Sequence, residues 1–443
     1  MRSRLYFRKL VLCLLFNTFY FNLYAVESAD SMHMRAKPLN KSDHISELQT
    51  LCDHNNWSDL NSAIMAHLKK KTLSSRDIYE LANANPGTIY SRAMSGTKKI
   101  LSMNEKTGLD FKTLLPIALY AEEIMANSNS QDLFVNAKRF KRELQFDPNS
   151  HSFFIHLGTH GVKPLGEGRK KLVTRTVKYD THRPEMMARG TTTCNMKKEM
   201  VAMRALKGLP GLLDAEALML HRGSNSKKQT YTFITKIFNS GSLQDVFDNK
   251  SLKLTLKEKV QVATDIITGL ASMHSHGFVH RDLGARNYFA QINGKGKGRK
   301  IRAVVADMGR TVPASTCKGD PVQGNTSYLS PEGFYRDKMK GSDYYSSDLF
   351  AVGCVMWQLF HGEQPAWRRI KSYKEEPMSL HNRYKQHVGL LERARSMVSR
   401  HYSNKDVKGR FSNLILKMTH PNPAKRGTAV QLQKEFEALL RDV

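Results

Sequence analysis

The stretch FVHRDLGARN, residues 278–287, carries the strongest chemical signal in the sequence. It follows the segment 256–277, whose pattern predicts a helix with one apolar face. That face is formed by Val260, Ala263, Ile267 and Leu270. The predicted helix therefore delivers a loop that holds a carboxylate, Asp282, and an amide, Asn287, five residues apart.

A second acidic residue follows this loop at the end of an apolar run. The run IRAVVA, residues 301–306, leads directly into Asp307, Met308 and Gly309.

Together the two stretches resemble the catalytic loop and the metal-binding DFG sequence of eukaryotic-type protein kinases. Met308 stands where the family usually has Phe and keeps the position apolar. The resemblance implies that Asp282 accepts the proton of the substrate hydroxyl. It also implies that Asn287 and Asp307 hold Mg²⁺ against the phosphates of ATP.

The resemblance extends upstream to the family's phosphate-binding lysine and its ion-pair partner. Thr176-Val177-Lys178 ends an alternating segment, and Lys178 is predicted to bind the α and β phosphates. The sequence KKEMVAMRALKGL, residues 197–209, is similar to the helix that carries the partner, which would be Glu199.

The family's adenine-binding hinge is matched by TFITKIFNSGSLQDVF, residues 232–247. The match puts Thr235 at the gatekeeper position and Lys236, Ile237 and Phe238 along the adenine edge. Phe289 would lie beneath the adenine ring. An ordinary core role for these residues is the alternative interpretation.

The glycine-rich phosphate loop is the weakest match. We place it at residues 157–162, with Gly158, Gly161 and Val162 covering the phosphates. Leu165-Gly166-Glu167-Gly168 with Val173 in register matches the family string better. Only residues 174–177 then separate Val173 from Lys178, which is too short for two strands of ~5 residues. The second glycine segment is therefore predicted to be a turn.

Three further residues resemble structural parts of the family. Glu332 follows Pro331 as in the APE motif, and Arg426 is its expected buried partner. Asp348 matches the aspartate that anchors the catalytic loop. The whole resemblance implies an α+β, bilobal kinase-like fold over residues 151–440, with a β-rich small lobe and a helical large lobe.

The first third of the chain lies outside the resemblance. Arg2, Arg4, Arg8 and Lys9 precede an apolar run from Leu10 to Val26, which predicts a secretory signal over residues 1–25, or less favourably a membrane anchor. Helical periodicity then predicts a helical region of unassigned role over residues 42–146. Residues 147–150 are predicted to be a linker. The resulting location is a secreted or exported one.

The acceptor hydroxyl receives conflicting signals. Gly284 replaces the lysine of serine/threonine kinases, and Arg286, placed directly before Asn287, follows the tyrosine-kinase arrangement. The closing sequence TSYLSPE, residues 326–332, resembles serine/threonine or tyrosine-kinase-like proteins instead. Tyrosine is slightly favoured, with Arg286 counted among the catalytic residues.

Composition narrows the remaining functions. The 443 residues are 40% hydrophobic and carry a formal net charge of +29, which excludes a mostly disordered chain and favours anionic partners. Five cysteines without paired spacing make a disulfide framework or a zinc site an unfavourable interpretation. Nucleic acid has only the net charge in its favour, whereas ATP and a protein substrate follow from the resemblance. The basic insertion at residues 293–302 could contact an anionic surface, but a solvated hairpin tip is the favoured interpretation. The alternative to an active kinase is a pseudokinase scaffold with a defective phosphate loop.

Overall fold

A computed structural model describes most of the chain from residue 41 onward. The described residues are 41–103, 109–126, 134–135, 144–147, 152–156, 164–167, 171–179, 184–222, 229–317, 328–365, 367, 380–402 and 406–443. The predicted signal segment lies outside them. The chain divides into two compact units, Met1–Thr88 and Ile89–Val443.

The first unit is built from three helices. They are α1 (Lys41–Asp53), α2 (Trp57–Lys70) and α3 (Ser75–Ala84). Ser74 caps α3 in a reciprocal capping box with Asp77, which satisfies two of the amide groups at the start of that helix. Fully buried Leu60 and Ile64 lie one turn apart on α2, as the apolar spacing predicts.

The second unit begins with two helices that pack against its sheet. They are α4 (Ile89–Leu101) and α5 (Phe111–Ala126). Glu122 on α5 accepts a hydrogen bond from the buried Tyr179 hydroxyl at 3.1 Å and pairs with Arg92 on α4 at 3.0 Å. Gly96 lies against Tyr179, where an added Cβ would be 2.7 Å from the hydroxyl oxygen and 2.8 Å from the ring. These two helices therefore belong to the same compact unit as the sheet.

The sheet of the small lobe is antiparallel and mixes short and long strands. Its strands are β1 (Phe134–Val135), β2 (Leu144–Asp147), β3 (Ser152–His156), β4 (Gly166–Glu167), β5 (Leu172–Tyr179), β6 (Glu185–Thr192), β7 (Ala215–Arg222) and β8 (Gln229–Lys236). The order is β1-β2-β3-β5-β6-β8-β7, with β4 paired to β5. Helix α6 (Lys197–Ala205) connects β6 to β7. The start of the predicted linker, Asp147, is thus part of a strand.

The large lobe is mostly helical and holds the main core. Its helices are α7 (Leu243–Asp248), α8 (Leu256–Ser275), α9 (Gly341–His361), α10 (Leu380–His401), α11 (Val407–Met418) and α12 (Ala429–Arg441). Short strands β9 (Phe278–Val279), β10 (Tyr288–Asn293), β11 (Lys300–Val305) and β12 (Val312–Pro313) form two two-stranded sheets. Val260, Ala263, Ile267 and Leu270 of α8 are all fully buried.

The predicted α+β, two-lobed fold class is confirmed. A β-rich part precedes a helix-rich part, and the predicted α8 delivers the catalytic-loop sequence to the surface between β9 and β10. Within the described ranges, no helix combines the length and apolar character that a membrane crossing requires.

Candidate active site

The loop 280–287 is held in place by a buried carboxylate. Asp348 on α9 accepts the backbone amide of His280 at 2.7 Å and that of Arg281 at 2.9 Å. The His280 ring, itself fully buried, bonds the carbonyl of Ala306 at 2.9 Å. The predicted anchoring role of Asp348 is confirmed, because one side chain fixes two successive amides of the loop.

Asp282 and Asn287 meet within this loop. The Asn287 side-chain amide donates to the backbone carbonyl of Asp282 at 2.6 Å. The Asp282 carboxylate receives Arg310 Nε at 3.1 Å. Residues five apart in sequence are thus joined directly, as the motif spacing requires.

Asp307 lies at the centre of a charged cluster, and the lysine in that cluster is Lys171. Lys171 Nζ lies 2.6 Å from Glu199 Oε1 and 3.1 Å from Asp307 Oδ1. Asp307 has a left-handed backbone with φ 56°, and its carboxylate also accepts the Gly309 amide at 3.4 Å. The cluster joins the strand side of the cleft to the sequence Asp307-Met308-Gly309.

The predicted pairing of Lys178 with Glu199 is wrong. Lys178 is hydrogen-bonded to Glu216 at the start of β7. Side chains alternate along a strand, and Lys178 is an odd number of residues from Lys171, so the two lysines project from opposite faces of β5. Glu199 itself lies where predicted, on α6 and largely buried.

The Lys178 prediction is wrong because it does not include a separate strand directly before α6. That strand is β6, residues 185–192, with sequence EMMARGTT, and it presents Ala188 toward the cleft. Gly190, two residues on, lies on the same face and pairs with Val173 and with Phe233. A Cβ at Gly190 would be 1.9 Å from the Phe233 ring, so this ring occupies the space beside the glycine.

The resemblance predicts a lysine on the strand before α6, but β6 contains none. Lys171 provides the cation beside Glu199 instead. Its Nζ lies 5.5 Å from the centroid of the Phe233 ring. The sequence carries a signal for Lys171, because this residue lies between the segment Leu165-Gly166-Glu167-Gly168 and Val173, which match the family's glycine-rich string. The glycine segment was predicted to be a turn because too few residues separate Val173 from Lys178. That argument does not apply when the lysine of the cleft is Lys171.

The structure places the rejected glycine segment at the cleft. Leu165, Gly166 and Val173 line the cavity, and β4 pairs with the start of β5 through Gly166 and Val173. The segment is therefore part of the cleft wall. The predicted loop residues Gly158, Gly161 and Val162 lie outside the described residues.

Burial and pairing act against each other in the charged cluster. Burial raises the pKa of Glu199, and the ion pair with Lys171 offsets this only in part. For Asp307, burial acts to raise the pKa, but Lys171 outweighs it and the net pKa is lowered. Burial acts to lower the pKa of Lys171, yet Asp307 and Glu199 outweigh it and raise that pKa. Lys171 therefore stays protonated beside an ionised Asp307 at neutral pH.

The predicted hinge residues and Phe289 line one cavity of about 600 Å³, whereas Lys178 is not among its lining residues. This volume suits a small ligand. The shared lining comprises Thr235, Lys236, Ile237, Phe238 and Phe289 together with Lys171, Glu199, Arg286, Asn287 and Asp307. Phe238 and Phe289 stack with ring centroids 6.0 Å apart. Ala188 and Val173, which the sequence analysis did not select, complete the apolar wall.

The residues that bear on acceptor choice also have defined surroundings. Gly284 lies against the ring of Tyr328, where an added Cβ would approach to 2.8 Å. The Tyr328 hydroxyl accepts the Ala285 amide at 3.2 Å. Arg286 is exposed at the cavity rim. Tyr328 thereby packs the sequence that leads to Glu332 onto the catalytic loop.

The large lobe is closed by the predicted ion pair. Arg426 is fully buried and binds Glu332 through two parallel bonds of 2.5 and 2.8 Å. Its Nη1 also donates to the carbonyl of Ser346 at 2.8 Å. This prediction is confirmed, and the bidentate geometry gives the pair its specificity.

Comparison with known proteins agrees with this geometry. The family model described as "Protein kinase domain" matches residues 160–436, which is more than half of the chain. The chain belongs to the protein kinase family.

Individual relatives are distant and usually much longer. A probable serine/threonine-protein kinase of Dictyostelium discoideum is 28% identical over 52% of this chain and 12% of its own length. Mitogen-activated protein kinase kinase kinase 17 of Arabidopsis thaliana is 28% identical over 36% of this chain and 41% of its own length. A dual serine/threonine and tyrosine protein kinase of Macaca mulatta is 29% identical over 27% of this chain and 12% of its own length. The chain thus aligns with less than half of each of these relatives.

Proposed function

We propose that this protein transfers the γ-phosphoryl group of Mg²⁺-bound ATP to a hydroxyl of a protein substrate. The observation that carries the proposal is the Lys171–Glu199–Asp307 cluster in the same cavity as Asn287. Phosphoryl transfer needs cations that neutralise the phosphates and carboxylates that hold Mg²⁺. The cluster supplies both on opposite walls of one cleft.

Each residue then has one role. Lys171, positioned by Glu199, neutralises the α and β phosphates, and the oxygens of Asp307 and Asn287 fit a Mg²⁺ ion. Asp282 orients the acceptor hydroxyl and takes its proton. Because Arg310 pairs with the Asp282 carboxylate, the acceptor must share or displace that contact.

Serine or threonine is the proposed acceptor. The relatives named above include serine/threonine kinases, and the sequence TSYLSPE supports the same choice. Tyrosine is the second candidate, and two observations favour it. Gly284 leaves no lysine beside Asp282, and Arg286 lies at the cavity rim.

The test is phosphate transfer from labelled ATP with Mg²⁺ by the purified full-length chain, to itself and to a generic basic protein. Asp282→Ala is the inactive comparison, and the labelled amino acid is identified after hydrolysis. We expect phosphoserine or phosphothreonine from the parent and none from the variant. Equal labelling by parent and variant would contradict the assignment of Asp282.

A nucleotide titration separates the pseudokinase alternative from an inactive preparation. Binding of ATP without transfer would point to a missing activator or substrate. No binding to the parent would replace the kinase proposal with a scaffold function.

Export and a basic docking surface complete the proposal. The charged-then-apolar order of residues 2–26 supports export, and fusion of these residues to a reporter enzyme active only outside the cytoplasm tests it. The basic insertion at residues 293–302 offers less free charge than its sequence suggests. Arg299 is bound by Glu258 at 2.5 Å, and Arg302 lies 3.1 Å from Asp265. An acidic protein or lipid surface would therefore meet mainly the lysines of this hairpin.

A further inference from the structure

Three metal-ligating side chains converge in the first helical unit, far in sequence from the cleft. His44 and Glu47 lie one turn apart on α1, and His67 lies in the last turn of α2. One candidate ligand atom from each residue lies within 4.8 Å of those of the other two. The rings of His44 and His67 have centroids 4.7 Å apart.

The hydrogen bonds around His67 determine which of its nitrogens can bind a cation. His67 Nδ1 lies 2.8 Å from Thr72 Oγ1, whose hydroxyl donates to the His67 carbonyl at 3.4 Å. A hydroxyl has one hydrogen to donate, so Thr72 accepts the proton of Nδ1. His67 Nε2 then keeps its lone pair. Metal-bound histidines are commonly oriented in this way by a second bond from the other ring nitrogen.

Nε2 and a carboxylate oxygen face each other at a separation that suits a shared metal ion. The distance from His67 Nε2 to Glu47 Oε2 is 3.5 Å. Two ligand atoms each ~2.0–2.1 Å from a tetrahedral zinc ion lie about 3.4 Å apart. Two acceptor atoms at this distance repel each other unless a cation or a proton lies between them.

The third side chain favours a metal ion over a proton. His44 Nδ1 is buried and has no hydrogen-bond partner among the described residues. A proton shared between His67 and Glu47 would leave that nitrogen unsatisfied, which is unfavourable for a buried polar atom. Lys41, one turn earlier on α1, is bonded to Asp77 at 2.6 Å and is directed to another partner.

We propose that His44, Glu47 and His67 bind a zinc ion that fastens α1 to α2. Two imidazoles and one carboxylate form a donor set that zinc accepts, with water completing the tetrahedron. The His67 side chain is only 10% exposed, whereas that of Glu47 is 54% exposed, so the ion would enter from the Glu47 side. The site would be a fastening within the helical unit and is independent of the proposed phosphoryl transfer.

The test is zinc binding by the full-length chain after treatment with a chelator. Titration against a chromophoric zinc indicator, with tetrahedral Co²⁺ absorption as the spectroscopic readout, measures stoichiometry and affinity. We expect one equivalent of Zn²⁺ for the parent. We expect affinity to fall by more than about 100-fold in Glu47→Gln and His44→Ala, and by about 10–100-fold in Thr72→Val, which removes only the orienting bond.

The control is His54→Ala, because His54 is an exposed histidine in the turn between α1 and α2 and lies outside the cluster. It should bind zinc as the parent does. Glu47 is largely exposed, so Glu47→Gln is expected to fold, and unchanged far-ultraviolet circular dichroism checks this. Absence of stoichiometric zinc in the parent, or equal affinity in the parent and Glu47→Gln, would overturn the proposal and leave an ordinary histidine–glutamate pair.

Discussion

The two walls of the cleft use different strategies to position their charges. On the large-lobe wall, Asp282 and Asn287 lie within the loop 280–287, and a single carboxylate, Asp348, fixes that loop. On the small-lobe wall, Lys171 and Glu199 come from separate elements and meet across 28 positions of sequence. The first wall is local in sequence, whereas the second depends on which strand lies beside which.

This difference explains how a lysine can move while the site is kept. A loop motif has to supply its groups in order, but a sheet can deliver a side chain from either of two neighbouring strands to one point in space. Lys171 directly precedes β5 and its Nζ reaches Glu199 and Asp307, whereas β6 has Gly190 beside the Phe233 ring and no lysine facing the cleft. The position of the charge is retained although the strand that provides it has changed.

The largest effect is expected on the large-lobe side, at the buried pair of Arg426 and Glu332. Arg426→Met should lower the free energy of unfolding by about 3–5 kcal/mol, because it leaves a buried carboxylate without its partner. Chemical denaturation measures this value. Arg410→Met, which breaks a pair with Asp442 that is 40% and 50% exposed, should cost no more than about 1 kcal/mol. Similar losses of unfolding free energy in the two variants would show that the pair of Arg426 and Glu332 stabilises this lobe no more than an exposed pair does.

The next effect tests the small-lobe wall directly. Lys171→Met should lower the rate of phosphate transfer by ~10²–10³-fold, as expected when a preorganised cation is removed from the transition state. Lys178→Met is the matched control on the same strand and should retain transfer, since its partner is Glu216. Kinetics at saturating ATP measures both. The reverse order of effects would return the phosphate-binding role to Lys178.

A pH-dependent effect of comparable size is expected at His387 on α10. Burial, and then the nearby Arg426, lower the pKa of His387 from 6.5 to about 4. Between these two values the unfolded chain binds more protons than the folded one, so stability is fully present above pH 6.5 and is lost as pH falls toward 4. The loss should reach about 3 kcal/mol.

Denaturation at a series of pH values measures this loss. His387→Phe, which keeps a ring beside Phe334 and Phe350, should flatten the dependence. A substitution of the exposed His401 on the same helix should leave the dependence in place. An unchanged pH profile in His387→Phe would assign the acid sensitivity to other groups.

The smallest effect tests the packing of Gly190 on β6 against the Phe233 ring. Gly190→Ala should lower stability by about 1–3 kcal/mol, because its methyl group would overlap the Phe233 ring. Adding Phe233→Leu should recover part of that loss. Gly389→Ala on α10, where nothing lies within 4 Å of the added methyl, should be neutral or stabilising by up to ~1 kcal/mol. Thermal unfolding compares the three variants with the parent, and a neutral Gly190→Ala would show that Phe233 does not restrict this site.

Sequence alone determined the family, the two-lobed fold class and the large-lobe half of the site. The residues of that half, from Asp282 to Asp307, follow one another in a fixed order, and the helix before them has clear apolar periodicity. The hinge residues Thr235 to Phe238 were also assigned to the cavity that they line.

Tertiary structure decided which lysine belongs to the cleft, and it places Leu165 and Gly166 in the cleft wall. Sequence reasoning assigned the strand that ends at Lys178 to the place beside α6, because β6 presents no lysine toward the cleft. The side on which a lysine projects depends on strand order and on the parity of its position, and neither is written in local sequence. The same holds for the cluster of His44, Glu47 and His67, which only the packing of α1 on α2 brings together, because helix contacts join residues that are distant along the chain.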